Sequence, residues 1–156
     1  MNNIIFKEIS AYKAIKEVYR HKKAWNFLLD FIDGSDEIDY DDQGNLVFVY
    51  YDGESVDDNY YTNENDYHWI AGYDGKKLIF LQLIRKWSKF HTELVVAQKN
   101  RKSEASNLFG QLIDYIREEY PKTKWLSTLP MNDRLKEYYK LNGFKDWKKE
   151  LKLELR

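Results

Sequence analysis

The chain has 156 residues, enough for one compact domain with a sizeable core, and its 33% charged residues suit a water-facing globular protein. It has no cysteine, which excludes disulfides and thiolate metal sites, and no apolar run nears the roughly 18 residues of a membrane span. The net charge of −1 hides an asymmetry: Ala24 to Gly75 carries 14 Asp and Glu with no Lys or Arg, whereas Lys76 to Arg156 carries 19 basic and 10 acidic residues.

The opening MNNIIFKEIS lacks the basic-then-apolar profile of a signal peptide, so the expectation is a cytoplasmic protein. Asn3 to Ile9 reads as a first strand. Ser10 then caps a helix whose Ala14, Ile15 and Val18 share a face, continued by Trp25, Leu28, Leu29 and Ile32, with His21-Lys22-Lys23 bending it into two. Glu37–Asp41 and Leu46–Tyr51 alternate in polarity and flank DDQGN, a hairpin pattern, and Asp52–Asp66 reads as an acidic loop. Strands follow at Tyr67–Tyr73, Lys77–Lys86 and His91–Val96.

After Ser103 comes the most regular helix, with Ala105, Leu108, Phe109, Leu112, Ile113 and Ile116 on one stripe, closed by Pro121. Lys124–Leu129 is a strand and Asn132–Leu141 a short helix ending at Asn142-Gly143. Phe144–Leu155 supplies one or two final strands. Without a repeat or linker, this is a single α+β domain over residues 1–156.

Between strand and helix lies VVAQKNRKSEASNLF, Val95 to Phe109. A strand, a polar loop and a helix start are the layout of an anion cradle, in which main-chain N–H groups and the helix dipole hold phosphate. Such cradles normally contain glycine where a ligand approaches the backbone, and this stretch has none. Any residue supplies an N–H, however. Ser103 is small and can cap the helix, and Arg101 and Lys102 can screen phosphate charge.

A second stretch, NDRLKEYYKLNGF from Asn132 to Phe144, resembles the N-x-x-A-x-x-x-Y-x-x-x-G-F signature of GNAT-type N-acetyltransferases. Asn132, Leu135, Tyr139, Gly143 and Phe144 fall in register. The upstream loop is similar to the family's acetyl-CoA loop, [Q/R]-x-x-G-x-[G/A], with Asn100, Ser103 and Ala105 at its three positions. Ala105 fits, while Ser103 replaces glycine and Asn100 replaces Gln or Arg.

The resemblance implies a mixed, mostly antiparallel sheet flanked by helices, to which the acidic hairpin and loop are an insertion. It implies acetyl-CoA as co-substrate, held by Val95, Val96, Asn100, Arg101, Lys102, Ser103, Glu104, Ala105 and Asn132, and direct transfer of acetyl to an amine. Tyr139 takes the position that protonates the leaving thiolate. Tyr138, about 100° away around the helix, is read as the core residue. The base is Glu93 or His91, which share a strand face with Val95 by alternation.

The carboxylates and tyrosines between Tyr40 and Tyr73 suit a cationic acceptor, either a small amine or the Lys or N-terminus of a protein. They offer no basic face for nucleic acid. No membrane partner and no metal are expected, since His21, His68 and His91 have no ligand spacing. Edge strands near the C-terminus allow a homodimer. The alternative is a GNAT-fold protein that has lost its donor and acts as a binding or inhibitor module through the acidic insertion.

Overall fold

The computed structural model describes residues 4–34, 38–40, 46–48, 67–100, 107–130 and 132–156. The first strand, β1 (Ile5–Ile9), leads into α1 (Ala11–Arg20), and Ser10 caps this helix by accepting from the Lys13 N–H at 3.1 Å. The break at His21–Trp25 is where the sequence places it, and α2 (Asn26–Gly34) follows. A hairpin of β2 (Ile38–Tyr40) and β3 (Leu46–Phe48) pairs Ile38 with Phe48 as its own two-stranded ladder. The acidic loop beyond it lies outside the described residues.

The remaining strands are β4 (Tyr67–Asp74), β5 (Lys77–Lys86), β6 (His91–Lys99), β7 (Trp125–Thr128), β8 (Lys145–Trp147) and β9 (Glu150–Glu154), with α3 (Leu108–Glu119) between β6 and β7 and α4 (Asp133–Leu141) after β7. Seven strands form one sheet in the order β1-β4-β5-β6-β7-β9-β8. Every pairing is antiparallel except β6 with β7, and those two strands are joined by the crossover through α3.

Both faces of the sheet are buried, which is why β5 reads as the near-continuous apolar run LIFLQLI. On one face Ala14, Ile15 and Val18 of α1, with Trp25 and Leu28, pack against Trp69, Leu81, Leu83 and Val96. On the other, Leu112, Ile113 and Ile116 of α3 cover Ile70, Ile84, Leu94, Leu126 and Leu151. Each such side chain removed from water contributes about 1.5–3 kcal/mol before chain entropy is set against it. The C-terminal end of α3 is tied to β1, where Glu8 accepts from the Tyr120 hydroxyl and pairs with His68 Nδ1 at 3.0 Å.

Two boundaries differ from the sequence reading. The strand expected to end at Val96 continues to Lys99, because Ala97, Gln98 and Lys99 still pair with β5. The helix expected from Ser103 is described from Leu108, with Asn107 at its N-cap in the left-handed region at φ 53°. The Asn107 side chain lies over Gly110, where a Cβ would stand 2.4 Å from the Asn107 Oδ1.

Candidate active site

The sheet opens at one point. β6 and β7 run parallel through four pairs, from His91 with Trp125 to Leu94 with Thr128. β7 then ends while β6 runs on five residues to Lys99. Beyond Leu94, one edge of β6 has no strand beside it among the described residues, and its main-chain groups can meet an extended ligand as another strand would.

A β-bulge sits at this fork. Leu83 pairs with Val96 and Ile84 with Leu94, so Val95 is the inserted residue. Leu94 therefore packs on the α3 side, whereas Val95 and Val96 both turn to the α1–α2 side. Simple alternation would have kept Leu94 and Val96 together.

The opening is a cleft of about 260 Å³, bounded by Val95–Lys99, Leu108 and Phe109 of the α3 start, Thr128–Pro130, and Leu135, Tyr138 and Tyr139 of α4. Phe27 of α2 closes another wall. Three polar side chains hold this framework. Gln82, fully buried, donates to the Leu83 and Val96 carbonyls at 2.9 and 3.1 Å. Gln98 accepts from the Leu28 N–H at 2.9 Å and donates to the Ala24 carbonyl and Asn26 Oδ1, fastening α2 to β6. Thr128 donates to the Leu94 carbonyl at 3.1 Å, at the crotch of the fork. The sequence reading missed all three, although a glutamine inside each apolar run (LIFLQLI and VVAQ) is a signal that a polar group there has a buried partner.

The signature motif now has physical reasons. Asn132 caps α4, its side chain accepting from the Leu135 N–H at 2.9 Å. Gly143 sits at φ +96° beyond the helix end, a conformation that side chains rarely adopt. Phe144 is buried, and Phe109, Tyr139 and Phe144 meet with ring centroids 5.2–6.0 Å apart.

One expectation is corrected. Tyr138 is 45% exposed, and it is Tyr139 that packs on the core beside Phe144. The inward stripe of α4 is Leu135 and Tyr139, four residues apart, and Tyr138 stands off it. Burial pushes the Tyr139 phenol's pKa up, and the Thr128 hydroxyl pulls the other way.

His91 and Glu93 lie on the opposite, α1–α2 face, before the bulge. His91 is stacked 3.6 Å from the Trp125 ring at 14°, with Trp87 beyond its other side at 6.3 Å, and its Nε2 lies 2.7 Å from Ser127 Oγ. The row continues as a ladder of rings and cations across the sheet. Arg85 lies over Tyr67 and 3.6 Å from the Trp87 ring, and Lys152 over Trp125. Burial, then the Lys152 charge, pulls the His91 pKa down to about 4, so the imidazole is neutral at pH 7. Glu93 accepts from Trp87 Nε1 at 2.7 Å. Glu150 on β9 is near enough that the Glu93 charge adds to burial in raising its pKa.

The residues expected to hold a donor are thus partly placed. Val95 and Val96 line the cleft, and Asn132 lines a second hollow that shares Ala97, Gln98 and Lys99 with it. Asn100 closes β6 with its N–H on the Ile79 carbonyl at 2.7 Å. Arg101, Lys102, Ser103, Glu104 and Ala105 lie outside the described residues.

The overall architecture is shared with known structures. An acetyltransferase from Thermus thermophilus superposes with a TM-score of 0.64 over 99% of this chain and 100% of its own, at 10% identity. The chain has the GNAT acetyltransferase fold. A GNAT family acetyltransferase from Elizabethkingia anophelis, solved with acetyl-CoA bound, gives 0.55 at 16% identity over 99% of this chain and 100% of its own. The aminoglycoside N(6')acetyltransferase from Legionella pneumophila gives 0.57 at 15% identity over 99% of this chain and 93% of its own. No family model and no curated protein matches the chain in sequence.

Proposed function

We propose that the protein is an acetyl-CoA-dependent N-acetyltransferase that passes acetyl directly to an amine, with the donor threaded into the β6–β7 fork. The parting of β6 from β7 beyond Leu94 and Thr128, with Tyr139 beside it, is the observation that carries this reading. The free edge of β6 gives the pantetheine arm main-chain partners, and the N–H groups around Val95 and Val96 polarise the thioester carbonyl. The start of α3 and residues 101–106, through Arg101, Lys102 and Ser103, take the pyrophosphate.

In the transfer, the amine nitrogen forms a C–N bond to the carbonyl carbon and the C–S bond breaks. The proton shed by the nitrogen goes to Glu93, directly or through water, and Tyr139 gives its proton to the departing sulphur. Glu93 is the better base on geometry. His91 is walled by indoles with Nε2 on Ser127, whereas Glu93 engages Trp87 through a single oxygen. No acyl-enzyme is involved, in keeping with a chain that has no cysteine.

The acceptor we propose is cationic, because 14 carboxylates and no Lys or Arg lie between Ala24 and Gly75. An aminoglycoside is acetylated by one structural neighbour, which supports an amine of that charge class. Calorimetric titration with acetyl-CoA and with CoA tests the donor, repeated on Ser103→Trp. Micromolar binding lost in the variant supports the fork and its glycine-free loop as the donor site. Absence of binding to the wild type overturns the proposal.

A further inference from the structure

Gln98 of β6 holds three groups around the start of α2 at once. Its Oε1 accepts from the Leu28 N–H at 2.9 Å, and its Nε2 donates to Asn26 Oδ1 at 2.9 Å and to the Ala24 carbonyl at 3.3 Å. The residue between Asn26 and Leu28 is Phe27, so one side chain of β6 grips both its neighbours. Trp25 and Leu28, close by in the chain, are fully buried and keep the helix start from sliding. Phe27 itself is half-buried and packs in the same apolar cluster as Val95, the inserted residue of the bulge, and Val96. Its ring lines the cleft at the fork and also the second hollow that shares Gln98 with it.

We infer that Phe27 limits the length of the acyl group the protein accepts, admitting acetyl and turning away chains of four carbons or more, and that Gln98 is the positioning residue that holds it in place. This rests on the transfer reading above. A thioester carbon carries three substituents in one plane. With its oxygen on the N–H groups around Val95 and Val96 and its sulphur beside Tyr139 on the α3 side, the third substituent is left for the α1–α2 side, where Phe27 stands with both valines. That substituent is the acyl chain. A methyl ends after one carbon, whereas each further methylene must find room against a ring whose helix is fastened to the strand beneath the thioester. In open apolar space a longer chain would bind better through the extra surface it buries, so a loss of affinity with length is the mark of a wall.

Calorimetric titration of the full chain with CoA, acetyl-CoA, butyryl-CoA and hexanoyl-CoA tests this without an acceptor, in the wild type, Phe27→Ala, Phe27→Leu, Gln98→Leu and Gln98→Glu. The wild type is expected to bind butyryl-CoA about tenfold or more weakly than acetyl-CoA, and Phe27→Ala to bring the two within about twofold or reverse their order. CoA, which has no acyl group, should keep its affinity within about twofold throughout. Phe27→Leu should fall between and serves if the alanine protein does not fold. Gln98→Leu should narrow the ratio about threefold, and Gln98→Glu, which still accepts from the Leu28 N–H, should narrow it less. Because the ratio compares two ligands on one protein, a variant that is merely less stable leaves it unmoved. A wild type indifferent to chain length, or an unchanged ratio in both Phe27 variants, overturns the inference, and an unchanged ratio in Gln98→Leu removes the positioning role. Turnover with spermidine, kanamycin and a lysine-rich peptide as probe amines separates the two readings. If the wild type discriminates by chain length through Phe27 but acetylates none of these amines, the transfer reading fails and the wall stands. If it acetylates an amine while the ratio is the same in every variant, the wall fails and the transfer reading stands. Binding of none of the four ligands overturns both.

Discussion

Replacing Gln98 with leucine should loosen the corner where α2 meets the cleft, by an amount the structure lets one work out. The Gln98 amide lies between the Ala24 carbonyl and the Leu28 N–H, accepting from the second at 2.9 Å and donating to the first at 3.3 Å. Those two groups are four residues apart, the spacing of an α-helical hydrogen bond, so a side chain from β6 completes the link at the start of α2. A third bond, to Asn26 Oδ1, is exposed and contributes little. Each main-chain bond is worth about 1 kcal/mol net, so the leucine variant should lose about 2 kcal/mol, or roughly 4–8 °C of melting temperature for a chain of this size. Gln98→Glu, which can still accept from Leu28 but cannot donate, should lose about half as much. Urea unfolding followed by far-ultraviolet circular dichroism measures both. A loss below about 0.5 kcal/mol for Gln98→Leu at unchanged m would show that water replaces the amide without penalty and that Gln98 does not hold the corner.

Tyr139→Phe should lower kcat by about 100-fold or more with little change in the acetyl-CoA KM, because a general acid acts only in the transition state; steady-state thiol release within about threefold of the wild type would remove that role. For His91, the folded pKa of about 4 lies below the ordinary 6.5, so the unfolded chain binds the extra proton between those values. Stability should therefore fall as pH drops from about 6.5 to 4 and be indifferent to this group above 6.5, and His91→Phe should flatten the dependence of the urea midpoint over that window. Asn132→Ala should cost about 1 kcal/mol by thermal unfolding, the usual worth of an N-cap, and Asn132→Ser should recover most of it. Neutralising Asp57, Asp58, Glu64 and Asp66 together should raise the KM for a cationic acceptor while leaving that for acetyl-CoA unchanged; an unmoved acceptor KM would take the acidic segment out of recognition.

The elements that could be read from the sequence are those whose signals are local. Ser10 before the Ala14–Ile15–Val18 stripe, the polar break at His21, and the stripe of α3 through Leu112, Ile113 and Ile116 each declare themselves within a few residues, and the structure has them in place. Asn132 and Gly143 are legible for the same reason, a cap and a positive φ needing particular residues at particular spots. What escaped depends on partners far along the chain. Gln98 meets Leu28 at a separation of 70 residues, and His91 meets Ser127 at 36. The bulge at Val95 carries no mark in VVAQ, since an inserted residue looks like any other until its partner strand is aligned beside it. The start of α3 was placed too early because its apolar stripe continues in pattern back to Ala105, whereas the described helix begins only at Leu108, after a left-handed Asn107.

The bulge has a consequence for how acid and base can share one reaction. Glu93 and Thr128 lie on strands paired in register, yet Glu93 faces the α1–α2 side and Thr128, with Tyr139, the α3 side. In a closed sheet these groups would be separated by the sheet itself, with every intervening main-chain group committed to a ladder. The fork removes that barrier just past the last pair, and the bulge turns Val95 and Val96 together toward the α1–α2 side. A thioester lying along the free edge of β6 would have its carbonyl open to an amine from the Glu93 side and its sulphur beside Tyr139 on the other. Proton removal and proton delivery are then kept apart by the substrate, so the carboxylate and the phenol need never neutralise each other. The arrangement would require the strands to stay parted, so the proposed transfer would depend on the Gln82, Gln98 and Thr128 hydrogen bonds that hold the fold here.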